Sequence, residues 1–141
     1  RLQIGSAGTV QFVHGLLDIG QSMSPPLIRA VKAARPQADF TVLDCPPGTS
    51  CPVIEAMRGA DYVLLVTEPT PFGLNDLKLA VETVRTLKMP FGVLINRSDS
   101  GDLQTRQFCD RSQIPVLAEI PDVREVAEAY SRGILAAISP S

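Results

Sequence analysis

The sequence contains no tryptophan, a single histidine and only three cysteines, and each shortage removes a class of function. Cys45, Cys51 and Cys109 are odd in number and lack the paired spacing of a zinc or cluster site, so neither a disulfide framework nor a metal knot is favoured. His14, the sole imidazole, is read as a structural or solvent-facing group. Positive charge is not in surplus either: a net charge of -2 argues against a nucleic-acid footprint, which gathers Lys and Arg on one face. No apolar run approaches the roughly 18 residues of a membrane helix, and the opening residues carry no signal pattern. The expectation is a soluble, cytoplasmic protein with no transmembrane segment and no nucleic-acid partner.

What remains suffices for one core. A composition of 45% hydrophobic and 20% charged residues matches an ordinary globular mixture, and a chain of this length typically buries about two-thirds of its unfolded surface. One domain over 1–141 is expected, with 1–20 as an irregular lead-in in which Thr9 to Val13 is a candidate edge strand and Gly15 and Gly20 mark turns. The sequence opens on Arg1 rather than Met, which is read as a piece of something longer.

Four apolar runs, Phe40 to Leu43, Tyr62 to Val66, Phe91 to Ile95 and Pro115 to Ile120, are nearly continuous rather than alternating, the pattern of strands buried on both faces. Helical patterns fill the gaps. Leu74, Leu77, Val81 and Val84 recur at helical spacing. Ser24 and Pro25 resemble a cap and first-turn proline for a helix carrying Leu27, Ile28 and Val31. Cys51 and Pro52 open a short helix that ends at Gly59, and a weaker helical pattern covers Asp102 to Arg111. Asp122 and Glu125 have capping-box spacing for a last helix whose buried stripe is Val123, Val126, Ala127 and Tyr130, stopping at Gly133. Strands alternating with helices imply an α/β fold: a parallel sheet with helices on both faces.

In such sheets the functional crevice lies beyond the carboxyl ends of the strands. Those ends carry Asp44, Glu68, Asn96 with Arg97, and Pro121 with Asp122. An acidic residue closing an apolar strand suits magnesium, which takes hard oxygen ligands and keeps several waters. The DCPPGTSCP stretch at 44–52 adds two stiffening prolines and Gly48, whose backbone N–H can approach an anion without a Cβ in the way.

DCPPGTSCPVIEAMRGADYVLLVTEPTPFGLNDLKLAVE, with GVLINR at 92–97, IPVLAEIP at 114–121 and AEAYSRG at 127–133, closely resembles the second half of the MinD/ParA-like P-loop ATPases, the CobQ/CobB/MinD/ParA group, and in particular the subgroup with an inserted ferredoxin module. The resemblance runs from about Gly15 to Gly133. It implies a Rossmann-like three-layer P-loop fold, incomplete on its N-terminal side. It also implies that Asp44 is the Walker B-type carboxylate near magnesium, through water, and that Gly48 and Thr49 belong to a second switch sensing the γ-phosphate. Asn96 would contact the base with Arg97 beside it, and Pro121, Asp122 and Glu68 would line the same rim.

The implied cofactors are ATP and magnesium, with [4Fe–4S] clusters only in the inserted module, which would precede this sequence. The family's phosphate loop ends in Lys and Thr after glycines, yet Lys32, Lys78 and Lys88 follow Val31, Leu77 and Leu87. The expectation is therefore an ATPase fragment, inactive alone, that self-associates or dimerises through an exposed sheet edge. Two alternatives stand beside it: an ATP-dependent ligase of the cobyrinic acid a,c-diamide synthase type, and a non-catalytic interaction module.

Overall fold

The computed structural model describes residues 1–17 and 24–133. Gly20 and the ILAAISPS segment at 134–141 lie outside them. The chain divides into two compact units, 1–61 and 62–141.

The first unit opens with strands β1 (Leu2–Ala7) and β2 (Val10–Gly15), paired antiparallel from Leu2 opposite Gly15 to Ala7 opposite Val10. The expected irregular lead-in is thus a hairpin through residue 15. Gly8, at φ +58°, supplies the positive dihedral that a two-residue hairpin turn needs at its first central position. Helix α1 (Ser24–Ala33) follows. Its Leu27 presses on Gly15, where a Cβ would sit 2.7 Å from Leu27 Cγ. Leu27, Ile28 and Val31 are half-buried.

Phe40 to Leu43 does not form a strand. Phe40 and Val42 are 91% and 87% exposed, because the run finds no neighbouring strand among the described residues and a ladder needs two partners. Helix α2 (Cys51–Met57) begins where expected, with Ser50 as N-cap and Pro52 in its first turn, and buries Val53, Ala56 and Met57. It stops at Gly59, whose φ is +79°, the left-handed conformation glycine adopts past a helix end.

The second unit is built on a parallel sheet of β3 (Val63–Thr67), β4 (Phe91–Asn96) and β5 (Val116–Ile120) in the order β3-β4-β5, flanked by helices. It is an α/β fold of the P-loop NTPase kind. Helix α3 (Pro71–Thr86) is capped by Thr70, whose Oγ1 accepts from Gly73 N at 3.0 Å, and Pro71 stands at its start. Its predicted stripe is the observed one: Leu74, Leu77, Val81 and Val84 are all buried. Leu77 and Val81 join Val93 and Ile95 of β4, Ile114, and Cys109 of α4 (Gln104–Arg111) in one core. Leu64, Val66 and Leu117 remain exposed.

Helix α5 (Arg124–Ser131) forms, but without the predicted capping box. Its N-cap is Val123 and no side chain caps it. The Asp122 carboxylate is turned instead toward Arg97. Nor is its apolar stripe buried: Val123, Val126 and Tyr130 are exposed, because no element among the described residues covers them. Gly133, at φ +71°, follows the helix as expected.

Candidate functional site

Three parallel strands end side by side, and their carboxyl ends bring Glu68, Asn96, Arg97 and Asp122 into one rim. Arg97 sits immediately after β4 at φ +50°, a left-handed conformation uncommon for a non-glycine residue and worth a functional reading when observed. From there its Nη1 lies 3.7 Å from Glu68 Oε1, after β3, and its Nε 3.7 Å from Asp122 Oδ1, after β5. One guanidinium therefore spans all three strand ends. All three side chains are solvent-accessible, so each pair contributes at most about 1 kcal/mol. Their value is in arrangement rather than stability.

The loop after β4 is fastened on both sides. Ser98 N donates to Ile120 O at 2.9 Å, continuing the β4–β5 ladder, and Asp122 N donates to Asp99 Oδ1 at 2.7 Å. On the other side Asp102 N donates to Pro69 O at 3.1 Å, and Gly101 lies so close that a Cβ there would fall 1.8 Å from Pro69 O. Ser100 closes the turn through its N–H and its hydroxyl, both donating to Arg97 O. Asn96 is half-buried at the base of this rim, and among the described residues its side-chain amide has no hydrogen-bond partner. A half-buried amide with two donors and an acceptor to spare suits the edge of a planar heterocycle.

Asp99 is the site residue that the strand-end rule did not single out, because it lies three residues past the end of β4. No local spacing foretells its partner, since a short acidic side chain in a turn ordinarily accepts from a neighbouring backbone N–H. Here that N–H comes from Asp122, 23 residues away.

The other predicted residues, Asp44, Gly48 and Thr49, lie in the first unit. All three are exposed. Gly48 has φ +92°, and nothing stands within 4 Å of the position its Cβ would occupy. It is required by backbone conformation rather than by crowding. Burial and then the Asp44 carboxylate push the Cys45 thiol above its usual value, with Lys32 pulling the other way. Among the described residues no three His, Cys, Asp or Glu side chains gather as a metal site, and no helix is long and apolar enough to cross a membrane.

The family model for an AAA domain matches residues 8–95, more than half of the chain. The chain belongs to the MinD/ParA-like P-loop ATPase superfamily. An uncharacterized protein of Methanocaldococcus jannaschii is 30% identical over 137 residues, covering 92% of this chain and 48% of its own length. An uncharacterized ATP-binding protein of the same organism is 26% identical over 110 residues, 76% of this chain and 42% of the relative. The iron-sulfur cluster carrier protein of Aquifex aeolicus is 31% identical over 110 residues, 67% of this chain and 30% of the relative. This chain thus spans half or less of the length of these relatives. No solved structure gives a significant match.

Proposed function

We propose that this chain carries the base-contact rim and the second switch of a MinD-like ATP-dependent switch protein, linked in its full form to iron–sulfur chemistry. The observation that carries the reading is the rim itself: three adjacent parallel strands ending on Glu68, Asn96 with Arg97, and Asp122, with the Asn96 amide unpartnered at its base. The iron–sulfur link draws on the relative named as an iron-sulfur cluster carrier protein, and the nucleotide on the one named as ATP-binding.

In this reading Asn96 takes the base edge while Pro121 and Asp122 wall it, and Arg97 and Glu68 hold the rim open. Asp44 takes magnesium through water. One carboxylate is enough for that role, since magnesium is commonly held by one or two carboxylates together with substrate phosphates and waters. Gly48 and Thr49 offer backbone and hydroxyl donors to the terminal phosphate. Positioning and charge stabilisation account for nearly all of phosphoryl-transfer catalysis. Without a glycine-linked lysine the 141-residue chain recognises nucleotide weakly and does not turn it over.

The test is a titration of ADP and magnesium into the isotope-labelled chain, followed amide by amide. Binding no tighter than about millimolar is expected, with shifts concentrated at residues 96–99 and 121–122 and abolished in Asn96→Ala. Shifts that ignore those amides, or that survive the substitution, overturn the base-contact role. ATP hydrolysis by this chain alone would overturn its assignment as inactive.

A further inference from the structure

Helix α1 carries Arg29 and Lys32 one turn apart, a spacing that places both cations on one face. Both meet the end of α2. Arg29 Nη1 lies 3.4 Å from Glu55 Oε2, which Arg58 Nη1 also faces at 3.9 Å. Lys32 Nζ donates to the backbone carbonyls of Glu55 at 3.0 Å and Ala56 at 3.1 Å, and also to that of Arg58. An ammonium has three donors and no acceptor, so all three of its protons are spent on one helix end.

The last carbonyls of a helix have no intrahelical partner and carry the negative end of its dipole. Here the accounting closes only with Lys32 included. Ile54 O accepts from Arg58 N and Met57 O from Ala60 N, while Glu55, Ala56 and Arg58 are satisfied by Lys32. A side chain from a different helix therefore does the work that usually falls to local capping residues.

The consequence reaches the 44–50 loop. Helix α2 has seven residues, a rod of roughly 10 Å, with Val53, Ala56 and Met57 buried. Holding one end of so short a rod fixes the direction of the other. That other end starts at Ser50, whose carbonyl accepts from Val53 N and Ile54 N and which directly continues Gly48 and Thr49. We propose that Lys32 is a positioning residue for the 44–50 loop: by clamping the C-terminal turn of α2 to α1, it makes any displacement of α1 carry the loop with it. The functional meaning of that coupling rests on reading the loop as a nucleotide switch; the clamp itself does not.

The experiment compares Lys32→Met and Lys32→Arg with the parent in the 141-residue chain, without nucleotide, by amide hydrogen exchange and amide chemical shifts. In Lys32→Met the Ile54 and Arg58 amides should exchange at least about tenfold faster, and the Gly48, Thr49 and Ser50 signals should move. The Ala34 amide, which donates to Ala30 O within α1, should keep its rate. Lys32→Arg, which keeps the charge and donors, should stay close to the parent in both readouts. Unchanged exchange at Ile54 and Arg58, or an unmoved loop, overturns the proposal.

Should Lys32→Met raise exchange at Ala34 as much as at Ile54, Lys32→Gln decides. It keeps two donors without charge and should reproduce the selective pattern in weaker form. Equal loss in both helices with Gln as well would reduce Lys32 to a general stabiliser and overturn the positioning role. Because no nucleotide is present, failure of the base-contact reading at 96–99 leaves these outcomes intact, and the reverse also holds.

Discussion

Two runs of near-equal composition meet opposite fates in this molecule. Phe40-Thr41-Val42-Leu43 and Phe91-Gly92-Val93-Leu94-Ile95 both read as strands buried on two faces. In the second unit Val93 is fully buried and Ile95 is 3% exposed, whereas Phe40 and Val42 in the first stand almost bare. The difference is partners. β4 has a parallel neighbour on each side and α3 and α4 over one face. Phe40 to Leu43 has no ladder among the described residues. An apolar run states a demand for neighbours, and the tertiary structure determines whether the demand is met.

The comparison can be broken most directly by truncating one apolar side chain in each region to alanine. Leu77→Ala, in the core behind β4, should cost about 2–5 kcal/mol, while Val42→Ala should stay within about 0.5 kcal/mol, both read from urea unfolding followed by circular dichroism. A Val42 cost comparable to that of Leu77 would mean that the 40–43 run is packed in solution, and the contrast would fall.

The edge of the sheet sharpens it further. β3 lies at one edge of its sheet, and its exposed Leu64 and Val66 carry no lysine, proline or bulge to discourage pairing. Such a strand invites another. The self-association expected from the sequence should therefore appear as a mass that rises with concentration in light scattering and falls to that of one chain in Val66→Lys. A parent chain that stays monomeric at high concentration would remove this edge as an interface.

The smallest effect lies at the rim. Asp99→Ala removes the acceptor for Asp122 N and should cost about 1 kcal/mol, visible as faster exchange at the Asp122 amide, with Asp99→Asn retaining an acceptor and most of the protection. Unaltered exchange in Asp99→Ala would show that the Ser98 to Ile120 bond alone holds that corner.

Legibility followed the range of the interaction. The α3 stripe was readable because a helix sets its own period, and four side chains at that spacing needed only one apolar face to pack against. Gly59 and Gly133 were readable because the positive φ past a helix end is a local requirement. Asp122 misled for the opposite reason. Its spacing to Glu125 is that of a capping box, yet the Arg97 guanidinium, arriving from a different strand end, lies beside its carboxylate, and no local rule foresees a competitor 25 positions earlier. The strip of Val123, Val126 and Tyr130 was correctly seen as apolar and helical, but not its exposure.

By itself the sequence determined the α/β alternation, three of the strands, the register of the α3 stripe and the family, since those follow from periodicity, turn chemistry and ordered motifs along the chain. Tertiary structure alone decided that residues 1–15 pair as a hairpin, that Phe40 to Leu43 stays unpaired, that Arg97 spans three strand ends with Asp99 fastening the corner behind it, and that Lys32 closes the end of a helix not its own. The physical reason is common to all four: each depends on which groups distant in sequence find a hydrogen-bonding or charged partner, and that is a property of the folded chain.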